Sequence, residues 1–380
     1  MEKTAIELYF HIPFCVRKCR YCDFYSGAFS DGEIEAYFET VLEEMRSCPY
    51  SGEAIEVSSI FFGGGTPSSV DPRFLGALLC EARRGFKVLP DCEITIECNP
   101  GTVTEESLLQ YRAYGVNRLS FGLQSADDRL LRKIGRIHTF AEFLSGYDLA
   151  RKAGFQNISV DLMAGLPLDT PENFEKTLKT VVSLEPEHCS VYSLIIEENT
   201  GFYALYGPEG SMKSELPSEE EEREMIHRAA AILGEHGYRQ YEISNFALPG
   251  KECRHNIGYW THVPYLGFGA SAASFIGGKR FRNAPSLRYL DLPYDETETL
   301  ETRDLMSEFM ILGFRMNDGV SESDFERRFG QSFREVYPRE IEMLLREELI
   351  ESYAGKDRKE ALRLTERGRD LANLVFEEFL

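Results

Sequence analysis

Strand-like runs alternate with amphipathic helical runs six times in succession, which predicts an α/β fold with parallel strands and right-handed crossovers. Two further observations refine this. Polar residues fall at the C-terminal ends of several different strands, as in a barrel site, whereas a doubly wound sheet would gather them at one switch point. After residue 237 the rhythm breaks, and the last eighty residues read as mainly helical. The chain therefore reads as a barrel-like β/α array over residues 1–237, an extension over 238–300 and a smaller winged-helix-like domain over 301–380.

The elements follow in order. "IELYFHI" (6–12) leads to a helix near 32–47, "IEVSSIFF" (55–62) to one over 72–86, and "CEITIEC" (92–98) to one over 105–115. "NRLSFGLQ" (117–124) precedes a longer helical stretch ending near Ala153, and "NISVDLMAG" (157–165) precedes a helix over 171–184. "CSVYSLII" (189–196) precedes an acidic helix over 219–237, with Ser218 as N-cap, glutamates in its first turn and Gly237 beyond its end. Residues 238–247 suit a further strand, 248–260 a turn and loop, and 265–278 close-packed backbone.

The 380 residues suit a large α/β unit with an appended domain. A formal net charge of −21 repels nucleic-acid phosphate, so no nucleic-acid partner is expected. The C-terminal region carries 13 basic against 19 acidic residues, which argues against docking on DNA. No apolar run approaches the length of a membrane span, and the first residues lack a secretion signal, so a cytoplasmic location is expected. Nine cysteines, an odd number, suit a reducing compartment. Cys48, Cys80, Cys92, Cys98 and Cys189 are scattered and read as buried small hydrophobes.

Cys15, Cys19 and Cys22 form an exception, three thiols on one short loop after the first strand. Soft thiolates select zinc or iron–sulfur. A structural zinc site wants a second ligand pair, and the chain has no second CxxC. An iron–sulfur cubane on three cysteines would leave one iron open, as catalytic metal sites do. "FFGGGTP" fits neither a dinucleotide fingerprint nor a P-loop, and reads equally as a tight turn or as backbone approached by a ligand. Glu97, Gln124 and Asp161 finish or nearly finish strands, and Arg136 reads on pattern alone as a solvated helix residue. "CRHNIGYW" gathers Cys253, His255, Asn256, Tyr259 and Trp260, types that suit an iron macrocycle, although a lone loop histidine is more often structural.

"CVRKCRYC", together with "YFHIPFC" and "GGGTP", resembles the CxxxCxxC signature of radical S-adenosylmethionine (SAM) proteins, and specifically their HemN/HemW branch, from "LYFHIPFC" at Leu8 to the "LTERG" tail. The resemblance implies a partial (β/α)6 TIM-like barrel and a [4Fe–4S] cluster on Cys15, Cys19 and Cys22. It assigns SAM contacts to Tyr9, Gly65, Thr66, Glu97, Gln124, Arg136, Asp161 and Ile195. Two groups compete within the branch. The oxygen-independent coproporphyrinogen III oxidases decarboxylate propionates through a 5′-deoxyadenosyl radical, and their motif continues CxxxCxxCxC, where this chain has Phe24. The HemW haem chaperones carry HNxxYW, present here as His255, Asn256, Tyr259 and Trp260. Resemblance to the second group implies haem as cargo with His255 as its ligand. It also implies transient, peripheral contact with respiratory membrane proteins that accept haem, and leaves a homodimer open. Relatives usually carry a histidine after this motif where this chain has Ala273.

Overall fold

The computed structural model describes residues 5–355 and 358–380. Six parallel strands pair in chain order: β1 (Ile6–Ile12), β2 (Gly52–Gly64), β3 (Phe86–Cys98), β4 (Arg118–Gln124), β5 (Ile158–Ala164) and β6 (His188–Ser193). The order never reverses, so there is no switch point, and the array is the predicted partial barrel. It is not closed on itself. Beyond β6 lie the short antiparallel β7 (Arg239–Gln240) and β8 (Asn245–Ala247), with β8 next to β6. Beyond β1 lie β9 (Tyr265–Phe268), β10 (Ala273–Ile276), β11 (Lys279–Arg282) and β12 (Glu296–Thr299).

Helices α1 (Asp31–Ser47), α2 (Pro72–Gly85), α3 (Glu105–Tyr114), α4 (Asp128–Lys133), α5 (Phe140–Lys152) and α6 (Pro171–Val182) fill the crossovers, and α7 (Gly201–Tyr206) and α8 (Glu219–Glu235) follow β6. The glutamate run of α8 is a capping device, as its sequence suggests. The Ser218 hydroxyl accepts from the Glu221 N–H, and the Glu221 carboxylate accepts from the Ser218 backbone.

Alternation along each strand sorts the side chains into two layers. Leu8, Phe10, Ile60, Phe62, Ile94, Ile96, Leu119, Phe121, Val160 and Val191 belong to one buried apolar core shared with the helices. The opposite face carries Glu7, Tyr9 and His11 from β1, Ser59 and Phe61 from β2, and Glu93, Thr95 and Glu97 from β3. It continues with Arg118 and Ser120, Ser159 and Asp161, then His188, Ser190 and Tyr192. The inner face is therefore polar along its whole length, and not only at the strand ends.

Two readings change here. Residues 248–260 are not all loop, because Arg254–Trp260 form helix α9, and the stretch read as close-packed backbone supplies β9 and β10. Cys92, Cys98 and Cys189 are buried, but Cys48 is half-buried and Cys80 is exposed on α2, so its reading as a buried hydrophobe fails. The C-terminal unit begins with α10 (Thr302–Gly313) and contains the antiparallel strands β13 (Val320–Ser321), β14 (Ile350–Ala354) and β15 (Glu360–Leu364). Helices over 322–329 and 338–346 lie between β13 and β14, a winged-helix order. A separate apolar core forms here, including Met310, Phe325, Phe333, Ile341 and Leu362. No described helix is long and apolar enough to cross a membrane.

Phe10 is fully buried and stacks on Phe62 at 4.9 Å and Phe268 at 5.5 Å between ring centres, joining β1 to both neighbours. Phe10→Ala is expected to destabilise the chain by about 3–5 kcal/mol. The check is a lowered urea midpoint at unchanged slope.

Candidate functional site

The loop after β1 is pinned at both ends of its cysteine run. The Cys15 N–H donates to Gly27 O at 2.8 Å, and the Arg20 N–H donates to Ile134 O at 3.3 Å. Cys15, Cys19 and Cys22 are half-buried and free. Burial, and then the neighbouring thiols, push Cys22 up to about 11, while Cys15 is raised mainly by burial. Among the described residues no three His, Cys, Asp or Glu side chains close around a single metal ion. A cluster imposes no such convergence, since each thiolate takes a different iron. Three neighbouring thiols on a fixed loop fit that donor set.

A chain of hydrogen bonds ties this loop to the strand ends. Cys15 Sγ lies 3.4 Å from Thr66 Oγ1, and Asn99 Nδ2 donates to Thr66 Oγ1 at 2.8 Å. Asn99 Oδ1 accepts from Arg136 at 2.7 Å, and the other arm of that guanidinium donates to Cys19 Sγ at 3.7 Å. Arg136 also donates to Gly122 O. It is buried in the turn after α4, so the solvated-helix reading is wrong. Its partners Asn99 and Gly122 lie far off in sequence, which pattern alone does not reveal. Asn99 itself went unremarked; its one signal is its place in "CNPGT", just after a strand.

The glycine turn follows from crowding. Gly65 donates to Ile12 O at 2.9 Å, and a Cβ on it would meet Ile12 O and Phe14 O at 2.8 Å. The Gly64 N–H donates to Glu97 at 3.2 Å, and Gly64 has a φ of +106°. Burial, and then the charge of Asp161, push Glu97 up to about 8. Asp161 accepts from Ser120 at 3.1 Å and from Ser159 at 3.2 Å. Gln124, at a φ of 70°, accepts from the Tyr192 hydroxyl at 3.0 Å. Eight of the predicted residues (three cysteines, Gly65, Thr66, Glu97, Arg136 and Asp161) thus line one rim or the strands just below it. Tyr9 lies on β1 with its hydroxyl 3.1 Å from His11 Nδ1. Ile195 stands apart, 67% exposed after β6.

A cavity of about 620 Å³ adjoins the cysteine loop. Its floor continues the inner face of the sheet. Glu7 and Tyr9 are in register with Tyr265 and Gly267, Phe275 pairs with Tyr265 and Arg280, and Ala273 pairs with Arg282. Tyr259 and Trp260 of α9, Phe24 of the cysteine loop and Glu308 of α10 complete the walls. Phe24 is 61% exposed. Arg280 makes a bidentate pair with Glu308 at 2.7 and 2.8 Å, so the C-terminal unit closes one side.

His255 is not on the wall. It is 1% exposed, with Nδ1 2.8 Å from Ser59 Oγ and Nε2 2.9 Å from Tyr259 Oη. Burial, and then the charge of Arg118, push its imidazole down to about 3. The helix carrying the motif is what places it there: His255 and Tyr259, four apart, share one face of α9.

Comparison with known proteins agrees with this layout. Residues 9–181 match the Radical SAM superfamily, and residues 300–371 match the HemN C-terminal domain. The chain is 39% identical to the heme chaperone HemW of Bacillus subtilis (strain 168), over 98% of each chain. It is 36% identical to the heme chaperone HemW of Lactococcus lactis subsp. lactis, covering 100% of this chain and 98% of that one. The solved structure of coproporphyrinogen III oxidase (HemN) from Escherichia coli superposes with a TM-score of 0.84 at 25% identity, covering 99% of this chain and 90% of that one.

Glu97 yields a pH prediction. Its folded value of about 8 lies above the ordinary 4.5, so the folded state holds the proton more tightly. Stability is therefore expected to fall as pH rises from about 4.5 to about 8. Glu97→Gln removes this slope. In urea titrations the variant should gain on wild type toward pH 8 and lose the gain near pH 4.5.

Proposed function

The chain belongs to the HemW family of radical SAM proteins, and from that premise we propose that it is a haem chaperone. In this reading it holds haem in the 620 Å³ cavity, next to a [4Fe–4S] cluster and SAM on the barrel rim, and passes it to haem-accepting respiratory membrane proteins by transient peripheral contact. The observation that carries the reading is the make-up of that cavity. Aromatic faces from Tyr259, Trp260, Tyr265, Phe275 and Phe24 suit a flat macrocycle. Arg280 and Arg282 lie on the same floor and suit propionate carboxylates.

Both arginines already hold acidic partners, Arg280 with Glu308 and Arg282 with Asp295 and Glu296. A propionate would exchange for these carboxylates rather than meet a bare cation. That exchange keeps the hold reversible, which a carrier needs and a permanent haem protein does not.

Cys15, Cys19 and Cys22 are the residues that would hold the cluster, and when bound it supplies electrons and one iron position free for SAM. Thr66 and Arg136 keep Cys15 and Cys19 in place through the bonds described above. Glu97, Gln124 and Asp161 offer acceptors for amino and hydroxyl groups of SAM, and the glycine turn lets it approach the backbone. The likeness to the E. coli oxidase favours porphyrinogen decarboxylation as a second reading. Phe24, where the oxidase motif has a cysteine, weighs against it, because this side chain fronts the cavity.

Anaerobic loading with iron and sulfide followed by parallel haem titration and decarboxylation assays tests the proposal. One haem bound per chain without protoporphyrinogen is expected, and protoporphyrinogen formation would favour the oxidase. Cys19→Ala should lose the brown colour and most bound iron, since two thiolates hold a cubane poorly. Because Cys19 does not line the cavity, whose floor and most of whose walls come from other elements, the same variant should still take up haem. Persistence of colour would refute the cysteine assignment.

A further inference from the structure

The motif histidine and the motif tyrosine stand one turn apart on α9, and only the tyrosine borders the cavity. His255 lies behind it with both ring nitrogens engaged, and its ring stacks on Phe61 at 5.1 Å between centres. Deeper still, Glu7 Oε2 is 3.8 Å from His255 Nδ1, fully buried and without a hydrogen-bond partner. Burial, more than any neighbour, pushes the Glu7 carboxyl up to about 9, which leaves it a neutral acid at pH 7. Glu7 packs so closely on α9 that a Cβ at Gly258 would overlap its carboxyl group. The helix therefore cannot turn His255 outward without opening this packing.

The cavity's own histidines are engaged as well. His11 bonds Tyr9 Oη at 3.1 Å and Tyr25 O at 2.8 Å. His262 meets Glu308 at 3.2 Å and Arg328 at 3.1 Å. Both His11 nitrogens and His262 Nδ1 are hydrogen-bonded, and His262 Nε2, which makes no hydrogen bond, is buried against the Glu308 carboxylate and not open to the cavity.

Resting on the haem-chaperone reading, we propose that Tyr259 is the side chain that ligates ferric haem iron, and that His255 is a positioning residue acting through it. Tyrosine is a known axial ligand type, and a hard anionic oxygen favours ferric over ferrous iron. Burial keeps the Tyr259 phenol protonated until a cation draws the proton off. On ligation the Tyr259 O–H bond breaks, an Fe(III)–O bond forms, and the proton leaves into the water of the cavity. The phenolate's charge offsets the single positive charge of ferric porphyrin. His255, 2.9 Å away, then donates from Nε2 to the phenolate oxygen, with Ser59 donating to Nδ1. Removal of the histidine thus weakens haem binding without its ever touching iron.

The test is titration of ferric haem into the full chain, wild type and variants, read by absorbance and by resonance Raman for phenolate modes of bound tyrosine. Wild type should show those modes. Tyr259→Phe, which keeps the ring, should lose them and bind at least about tenfold more weakly. His255→Gln should bind more weakly yet retain the modes, and His262→Gln should retain them too. The proposal is overturned if wild-type complexes lack phenolate modes, if Tyr259→Phe keeps the wild-type spectrum, or if an imidazole signature disappears only in His255→Gln. Should His255→Gln fail to fold, Tyr259→Phe alone decides. If wild type takes up no haem at all, the chaperone reading itself falls and this inference with it.

Discussion

Arg118 is the charge on which the barrel interior depends. It is 2% exposed, at the start of β4, on a face that also carries Glu93, Glu97 and Asp161. Burying carboxylates on the inside of a strand array is costly unless something of opposite sign lies near. Arg118 lowers both Glu97 and Asp161 against the dominant effect of burial, and burial, and then Arg118, hold His188 and His255 below their ordinary range. One guanidinium thus acts, second to burial, on two histidines and two carboxylates across four elements. The neutral His255 that results can accept from, or donate to, a phenol without bringing a second charge inside.

From that interior the architecture works outward. Helix α9 sits against the inner face, where the His255 N–H donates to Glu93 at 3.3 Å and Cys253 donates to the same carboxylate at 3.6 Å. It packs on Ser59, Glu93 and Glu7 of that face, and the cavity lies beside it, bordered by β9 to β11. Closure there comes from Glu308 of α10, which joins Arg280 and His262. The site therefore needs the sheet extension and the C-terminal unit as well as the barrel, and Phe24 puts the cysteine loop on its border.

Much of this was legible in the sequence, for a physical reason. Parallel strands buried on both faces leave a period of two only when one face is polar, and "CEITIEC", "RLSFGLQ" and "ISVDLMA" show it as Glu93, Thr95 and Glu97, Arg118 and Ser120, and Ser159 and Asp161. Helix caps were legible because their partners are three residues away, as with Ser218 and Glu221. Long-range placement was not. Arg136 looks like any helix-flanking arginine until Asn99 and Gly122 arrive beside it through three other elements. His255 looks like a loop ligand because seven residues of helix after a glycine and a cysteine carry no strong periodic signal. Cys80 was misread because its helix turns one apolar-looking position to solvent.

The central claim is that haem occupies the cavity over β9 to β11. Ala273 lies on its floor, paired with Arg282, and touches neither the cysteine loop's bonds nor the rim carboxylates. The direct measurement is haem titration of Ala273→Trp, with cluster loading followed in the same preparation. A filled cavity should abolish haem uptake while iron and sulfide load as in wild type. Unchanged haem affinity in that variant would contradict the account.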